Sequence, residues 1–212
     1  MQLTTTLNKI QMCNPCSKGW RKLLKYLGKT VADDESLPFS VILDSNGLDD
    51  ALWCCHTAPE HNRVWRLYTI WCARQVQYLM IDQRSLDALD VAERYANGQA
   101  TDKELSAAWA AAKDAWAAAK DAWAVTKDAW IAEDTARKAA LAVRNAAGVV
   151  ARVIAGDTAG VVAQAVAEIA VWAAWKTARD TKVTTWVAED AARETVQAAQ
   201  AAKFREMVSG MI

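Results

Sequence analysis

Trp109, Trp116, Trp123 and Trp130 recur every seven residues, and Lys113, Lys120 and Lys127 follow the first three rings by four positions. A helical residue advances about 100°, so seven steps return a side chain to nearly the same face. The rings therefore form one stripe with a Lys between successive members, while Asp114, Asp121 and Asp128 are turned away. Trp172 with Lys176, and Trp175 with Arg179, repeat the four-residue spacing. A cation over an indole face is worth roughly 0.5 to 2 kcal/mol. Rings alternating with cations suit stacking of a base while pairing a phosphate, as single-strand and nucleotide binders do. Packing is the commoner use of such a stripe, because apolar stripes at helical spacing are usually core, rings between Ala-rich backbones fill a helix–helix seam and Lys stems cover ring faces. These eleven residues are the candidate binding set, and seam and groove are both open readings.

Other chemically capable residues are weaker. Cys13-x-x-Cys16, with Cys54, Cys55, Cys72, His56 and His61, invites a zinc reading. One such pair without a second correctly spaced pair specifies no tetrahedral site, so no metal is assigned. Cys16 and Cys72 read as thiols in apolar helical surroundings. Asp33-Asp34-Glu35 and Asp49-Asp50 have the chemistry for cation binding or acid–base work, but negative charge is favoured in a helix's first turn without any ligand. No Gly-rich phosphate loop, G-x-S-x-G or H-E-x-x-H occurs. The reading is a non-enzyme with no catalytic residue and no cofactor.

The elements that must carry these residues fall into two regions. Residues 1–100 hold all three Pro, both His and all five Cys, and read as an N-terminal module of about five helices. Asn14-Pro15 opens the first of these, which carries Leu23, Leu24 and Leu27 and ends at Gly28. Ser36 caps a short helix ending at Asn46-Gly47, and Leu48 to Cys55 adds a turn or two. Pro59 opens a longer helix through Leu79, and Asp82 caps another that reaches Gly98. Gly19 allows close helix contact.

The second region, 101–212, begins with Thr101-Asp102-Lys103-Glu104, a capping box. Two long Ala-rich helices follow, 102 to about 155 and 158 to 208, with a turn at Gly156 to Gly160 and Gly148 as a candidate kink. Their apolar stripe must be covered, by folding back as an antiparallel hairpin, by wrapping the first module, or by a second copy of the chain. The fold class is thus all-α, and a homo-oligomer is expected.

Composition excludes several function classes. Twenty-five basic and 25 acidic residues cancel, which removes the long-range attraction that long nucleic acids or anionic membranes require. The opening Met1 to Thr6 has neither a basic start nor an apolar run, and about 18 consecutive strongly apolar residues occur nowhere. Five Cys form no even framework, so reduced thiols in a cytoplasm are expected.

Two stretches carry a resemblance. Asp82-Gln83-Arg84, Leu86-Asp87-Ala88 and Ala92-Glu93-Arg94-Tyr95-Ala96-Asn97-Gly98, leading into an Ala-rich tail, resemble bacterial proteins labelled immunity proteins of polymorphic toxin systems. Asn14-Pro15-Cys16-Ser17-Lys18-Gly19-Trp20-Arg21-Lys22-Leu23-Leu24, then Ile42-Leu43-Asp44-Ser45-Asn46-Gly47-Leu48-Asp49-Asp50-Ala51-Leu52-Trp53, look like phage and prophage proteins with similar tails. Together they cover roughly residues 13 to 130. The resemblance implies an all-helical, non-enzymatic protein of the bacterial host cytoplasm that neutralises a toxin or defence effector by binding it. It carries over no functional residue. The Trp–Lys–Asp heptad departs from an ordinary Ala-rich tail, which leaves open a smaller, nucleotide-like target.

Overall fold

A computed structural model of the chain describes residues 2–75, 77, 80, 82–128 and 186–210, with side chains in the two longest helices given up to residue 121 and from residue 194. Eight α-helices lie among them: α1 (Leu7–Met12), α2 (Ser17–Leu27), α3 (Phe39–Asn46), α4 (Leu48–Cys54), α5 (Asn62–Arg74), α6 (Gln83–Ala96), α7 (Asp102–Asp128) and α8 (Trp186–Val208). The fold is all-α. Its one small sheet among the described residues pairs β1 (Thr4–Thr5) antiparallel with β2 (Leu37–Pro38).

Local chemistry explains most boundaries. Thr6 Oγ1 accepts the Lys9 N–H at 3.2 Å and starts α1, a helix that the sequence reading lacked. α2 begins at Ser17, two residues after Pro15, because Asn14 is left-handed (φ 54°) and Cys16 takes the cap, its Sγ accepting from the Gly19 N–H at 3.3 Å. Ser36 does not cap α3. Pairing with β1 holds Leu37 and Pro38 extended, so the helix starts at Phe39. Pro59 opens a 3-10 turn rather than α5, which runs from Asn62 and closes at Arg74 instead of reaching Leu79. The Arg74 guanidinium reaches Asp90 and Glu93 of α6 at 2.6 Å each.

Two expected caps are present. Asp82 Oδ1 accepts from the Arg84 N–H at 2.9 Å. At α7 the Glu104 N–H donates to Thr101 Oγ1 at 3.2 Å while Glu104 Oε2 takes the Thr101 N–H at 2.8 Å, two otherwise orphaned donors satisfied reciprocally.

The core is aromatic and crosses the whole described chain. Phe39, Trp65, Tyr68 and Phe204 are each at least 98% buried, and the Phe39 and Trp65 rings meet edge-on at 4.9 Å. Trp65 Nε1–H donates to the Ala58 carbonyl at 3.1 Å, so its polar end is satisfied. α8 packs against α3 and α5, burying Phe204, Met207 and Val208. The Leu3 N–H donates to the Val208 carbonyl at 2.7 Å, joining the chain's first residues to the end of α8. The boundary expected at residue 100 therefore marks a change of composition, while one continuous apolar cluster runs from Leu7 to Val208 across it.

α6 and α7 pack closely, α6 burying Ala88, Leu89, Ala92 and Ala96 and α7 burying Ala108, Ala112 and Ala115. Small side chains let the two backbones approach. Across the intervening turn, where Gly98 takes φ 72°, Tyr95 Oη–H donates to Asp102 Oδ1 at 2.8 Å and Arg94 pairs with Glu104 at 2.7 Å. α7 and α8 lie within the two long helices expected. The turn at Gly156 to Gly160, Gly148 and the antiparallel pairing lie outside the described residues. No helix among the described residues is long and apolar enough to cross a membrane.

Candidate functional site

Two features present chemistry. The first is the outer face of α7, where Trp109 and Trp116 are each 41% exposed and Lys113 and Lys120 are exposed beside them. Neither ring therefore belongs to the contact between α6 and α7. The buried side chains of α7 are alanines, and at 100° per residue Ala108, Ala112 and Ala115 centre about a quarter-turn from the Trp stripe. Lys113 Nζ lies 5.4 Å from the Trp109 ring centroid, within cation–π range. Lys120 makes no such contact with Trp116 among the described residues. The Trp123 and Lys127 side chains, together with Trp130, Trp172, Lys176, Trp175 and Arg179, lie outside what the structure describes.

The second feature is a cavity of about 310 Å³ among the α1–α2 turn, α2, α3 and α4. It brings together both halves of the Asn14–Leu24 and Ile42–Trp53 stretches. Ile10, Leu23 and Ile42 supply apolar lining, Trp20 and Trp53 two indoles, and Cys16, Asn46, Asp49 and Asp50 the polar groups. The sequence alone does not reveal this site, because Asp49-Asp50 and the Asn14–Leu24 stretch lie far apart until the fold joins them.

Hydrogen bonds fix one wall of that cavity. α3 ends at Asn46 and Gly47, at φ 97°, turns the chain into α4, which places Asn46 beside Asp50. The Asn46 amide nitrogen donates to the Gly19 carbonyl at 2.9 Å and to Asp50 Oδ2 at 2.6 Å. Ser45 Oγ–H donates to Asn46 Oδ1 at 2.8 Å, which sets the amide's orientation. Gly19 has the structural role expected of it. A Cβ there would lie 2.7 Å from Asp50 Oδ2 and 3.1 Å from Cys16 Sγ, so only glycine admits the carboxylate this close to α2.

Trp53 is braced from behind by His56, whose ring meets it edge-on at 4.4 Å and whose Nδ1 donates to the Trp53 carbonyl. Cys54, adjoining the cavity, is held neutral, its thiol pushed up to about 12 chiefly by burial. Burial likewise raises Cys55, and takes Cys72 to about 12. Cys72 is buried as expected. Cys16 is not, because capping α2 leaves it at the surface.

The acidic loop of residues 33–35 is engaged elsewhere. Asp33 and Glu35 each receive Lys29 Nζ at 2.6 Å, and that ammonium holds the Asp33 carboxyl below its usual range. Among the described residues no three His, Cys, Asp or Glu side chains gather as a metal site. No family model, curated protein or solved structure matches the chain.

Proposed function

We propose that this protein is a non-enzymatic, immunity-type or counter-defence protein that inhibits a protein target by occupying its surface. The observation that carries the reading is the outward presentation of Trp109 and Trp116 on a helix whose buried face is already filled by alanines. Tryptophan removes much apolar area on docking and keeps a polar N–H for a partner, which is why it concentrates where binding energy does. Exposed Lys113 and Lys120 on the same helix face favour a target with carboxylates around an apolar centre. The resemblance of the Asp82 to Gly98 stretch to bacterial immunity proteins supports the same mode of action.

The test is capture from a bacterial host carrying toxin or defence systems, followed by reconstitution with the purified target. Trp109→Ala and Trp116→Ala should each abolish inhibition while shifting folding stability by about 1 kcal/mol or less, as surface substitutions do. Lys113→Ala and Lys120→Ala should weaken the target by about 1 to 3 kcal/mol each with the melting temperature intact. Inhibition unchanged in all four variants would overturn the assignment. Size exclusion with light scattering separates a foreign target from a second copy of the chain on the same face, and a Trp-dependent dimer would make that copy the occupant.

Lys113 poised over Trp109 favours a second reading, sequestration of a nucleotide-like signalling molecule by a stacked base and a paired phosphate. Trp fluorescence titrated with nucleotides, cyclic dinucleotides and nucleotide–sugar conjugates checks it. A flat response and unchanged melting across that panel would dispose of it.

A further inference from the structure

We infer that the cavity between α2 and α4 is a binding site for a guanidinium group. The inference is independent of the α7 surface and stands or falls separately from it. Its first support is charge. Among the described residues, the acidic side chains lining the cavity are Asp49 and Asp50, and no Lys, Arg or His contributes to the lining. Lys22, on the same helix as Trp20, directs its ammonium to the Asn46 carbonyl at 3.4 Å. Two carboxylates in a partly apolar cleft repel phosphate and attract a cation.

The second support is shape. Asp50 is positioned rather than left to solvent: Asn46 holds Oδ2 at 2.6 Å, and Gly19 is the gap that admits it. First-turn carboxylates that merely offset a helix dipole need neither feature. Indoles at Trp20 and Trp53 complete the pattern, because a planar guanidinium stacks on an aromatic face while its edge donates to a carboxylate. A metal ion is less suited, since no third acidic, His or Cys ligand converges there among the described residues. A volume of about 310 Å³ lies at the small end of ligand pockets, the size of a side chain or small metabolite.

Guanidinium chemistry has two sources, an arginine side chain of a bound protein and a free guanidine compound. Nα-acetyl-arginine methylamide represents the first and agmatine the second. The full-length protein, with its Trp indoles labelled by ¹⁵N, is titrated with each and with Nα-acetyl-citrulline methylamide, the uncharged isostere. The Trp20 and Trp53 indole resonances should move with the arginine derivative and not with citrulline. Asp49→Asn and Asp50→Asn should each weaken that binding at least about tenfold, as loss of a charge-assisted contact does. Asp49 is exposed at the helix surface, so its variant tests the charge with the fold kept. Movement by agmatine alone would assign the site to a free guanidine compound, and movement by both to an arginine side chain. No response to either cation up to about 10 mM, weaker than any useful affinity, would overturn the inference. So would equal binding of citrulline, or binding indifferent to both Asp substitutions.

Discussion

The Phe204 ring lies stacked on Trp65 with centroids 6.1 Å apart and planes 18° from parallel, although one residue belongs to α5 and the other to the last helix. Phe39 and Tyr68 meet Phe204 edge-on at 6.5 and 5.4 Å, so a single C-terminal ring completes the centre of the N-terminal core. The module formed by the first hundred residues is therefore unfinished without α8.

Phe204→Ala should accordingly destabilise the protein by about 3 to 5 kcal/mol, because it removes a fully buried ring from a centre that cannot readily collapse. Urea unfolding followed by Trp fluorescence measures it. Arg205→Ala, one residue on, breaks only the exposed pair with Asp44 and should cost less than about 1 kcal/mol. Equal effects of the two substitutions would contradict the plug-like role of α8.

Gly19→Ala sets two effects against each other. In an exposed helix Ala exceeds Gly by about 1 kcal/mol in propensity, but here the new methyl would meet Asp50 Oδ2 at 2.7 Å. Displacing a carboxylate tied to Asn46 should outweigh the gain and give a net loss of about 1 to 3 kcal/mol. In an Asp50→Ala background the carboxylate clash is gone, the tight contact left is exposed Cys16 Sγ at 3.1 Å, which can give by a few tenths of an ångström, and Gly19→Ala should turn neutral or stabilising. A double-mutant cycle in thermal unfolding reads that change of sign.

How much was legible follows from how local each signal is. The Asp82 cap and the Thr101–Glu104 box were readable because both partners lie within three residues. α1 escaped because its six residues bury only Leu7 and Ile10, too few to show a period. β1–β2 and the cavity depend on partners dozens of residues apart, and nothing in the Asp49-Asp50 pair says that Gly19 will face it. The Trp stripe was legible as a stripe and not as a surface. Hydrophobicity weighs an indole far above a methyl, whereas α6 and α7 select for close approach, and Ala108, Ala112 and Ala115 provide it.

The thiols differ in reactivity by position. With Cys54 and Cys72 pushed up to about 12, only about one molecule in ten thousand carries either thiolate at pH 8. Native alkylation with iodoacetamide should modify surface Cys16 and leave Cys54, Cys55 and Cys72 for the unfolded chain, as peptide mass spectrometry would record. The same raised values make stability pH-dependent. Unfolded thiols ionise near their ordinary value of 9.0, while the folded ones bind their protons to higher pH. Below that value the three thiols leave stability unchanged, and as pH climbs from there towards 12 the unfolded state gains and stability falls. A melting temperature flat from pH 9 to 11 would contradict this.

Gln200 is the least expected occupant of the interior. Its side chain is 1% exposed on α8, and neither its amide oxygen nor its nitrogen has a hydrogen-bond partner among the described residues. Its backbone carbonyl is satisfied, accepting the Tyr68 hydroxyl at 3.3 Å, so the helix is anchored there whatever the side chain does. A buried amide without partners costs about 1 to 3 kcal/mol relative to its hydrated state. Gln200→Met keeps the length and flexibility of the side chain, removes both polar atoms and leaves the carbonyl bond untouched. The substitution should therefore stabilise the fold by about 1 to 3 kcal/mol and raise the melting temperature. A fall in stability would mean that the amide is satisfied, by water or by a bound group, and that Gln200 belongs to a polar interior site.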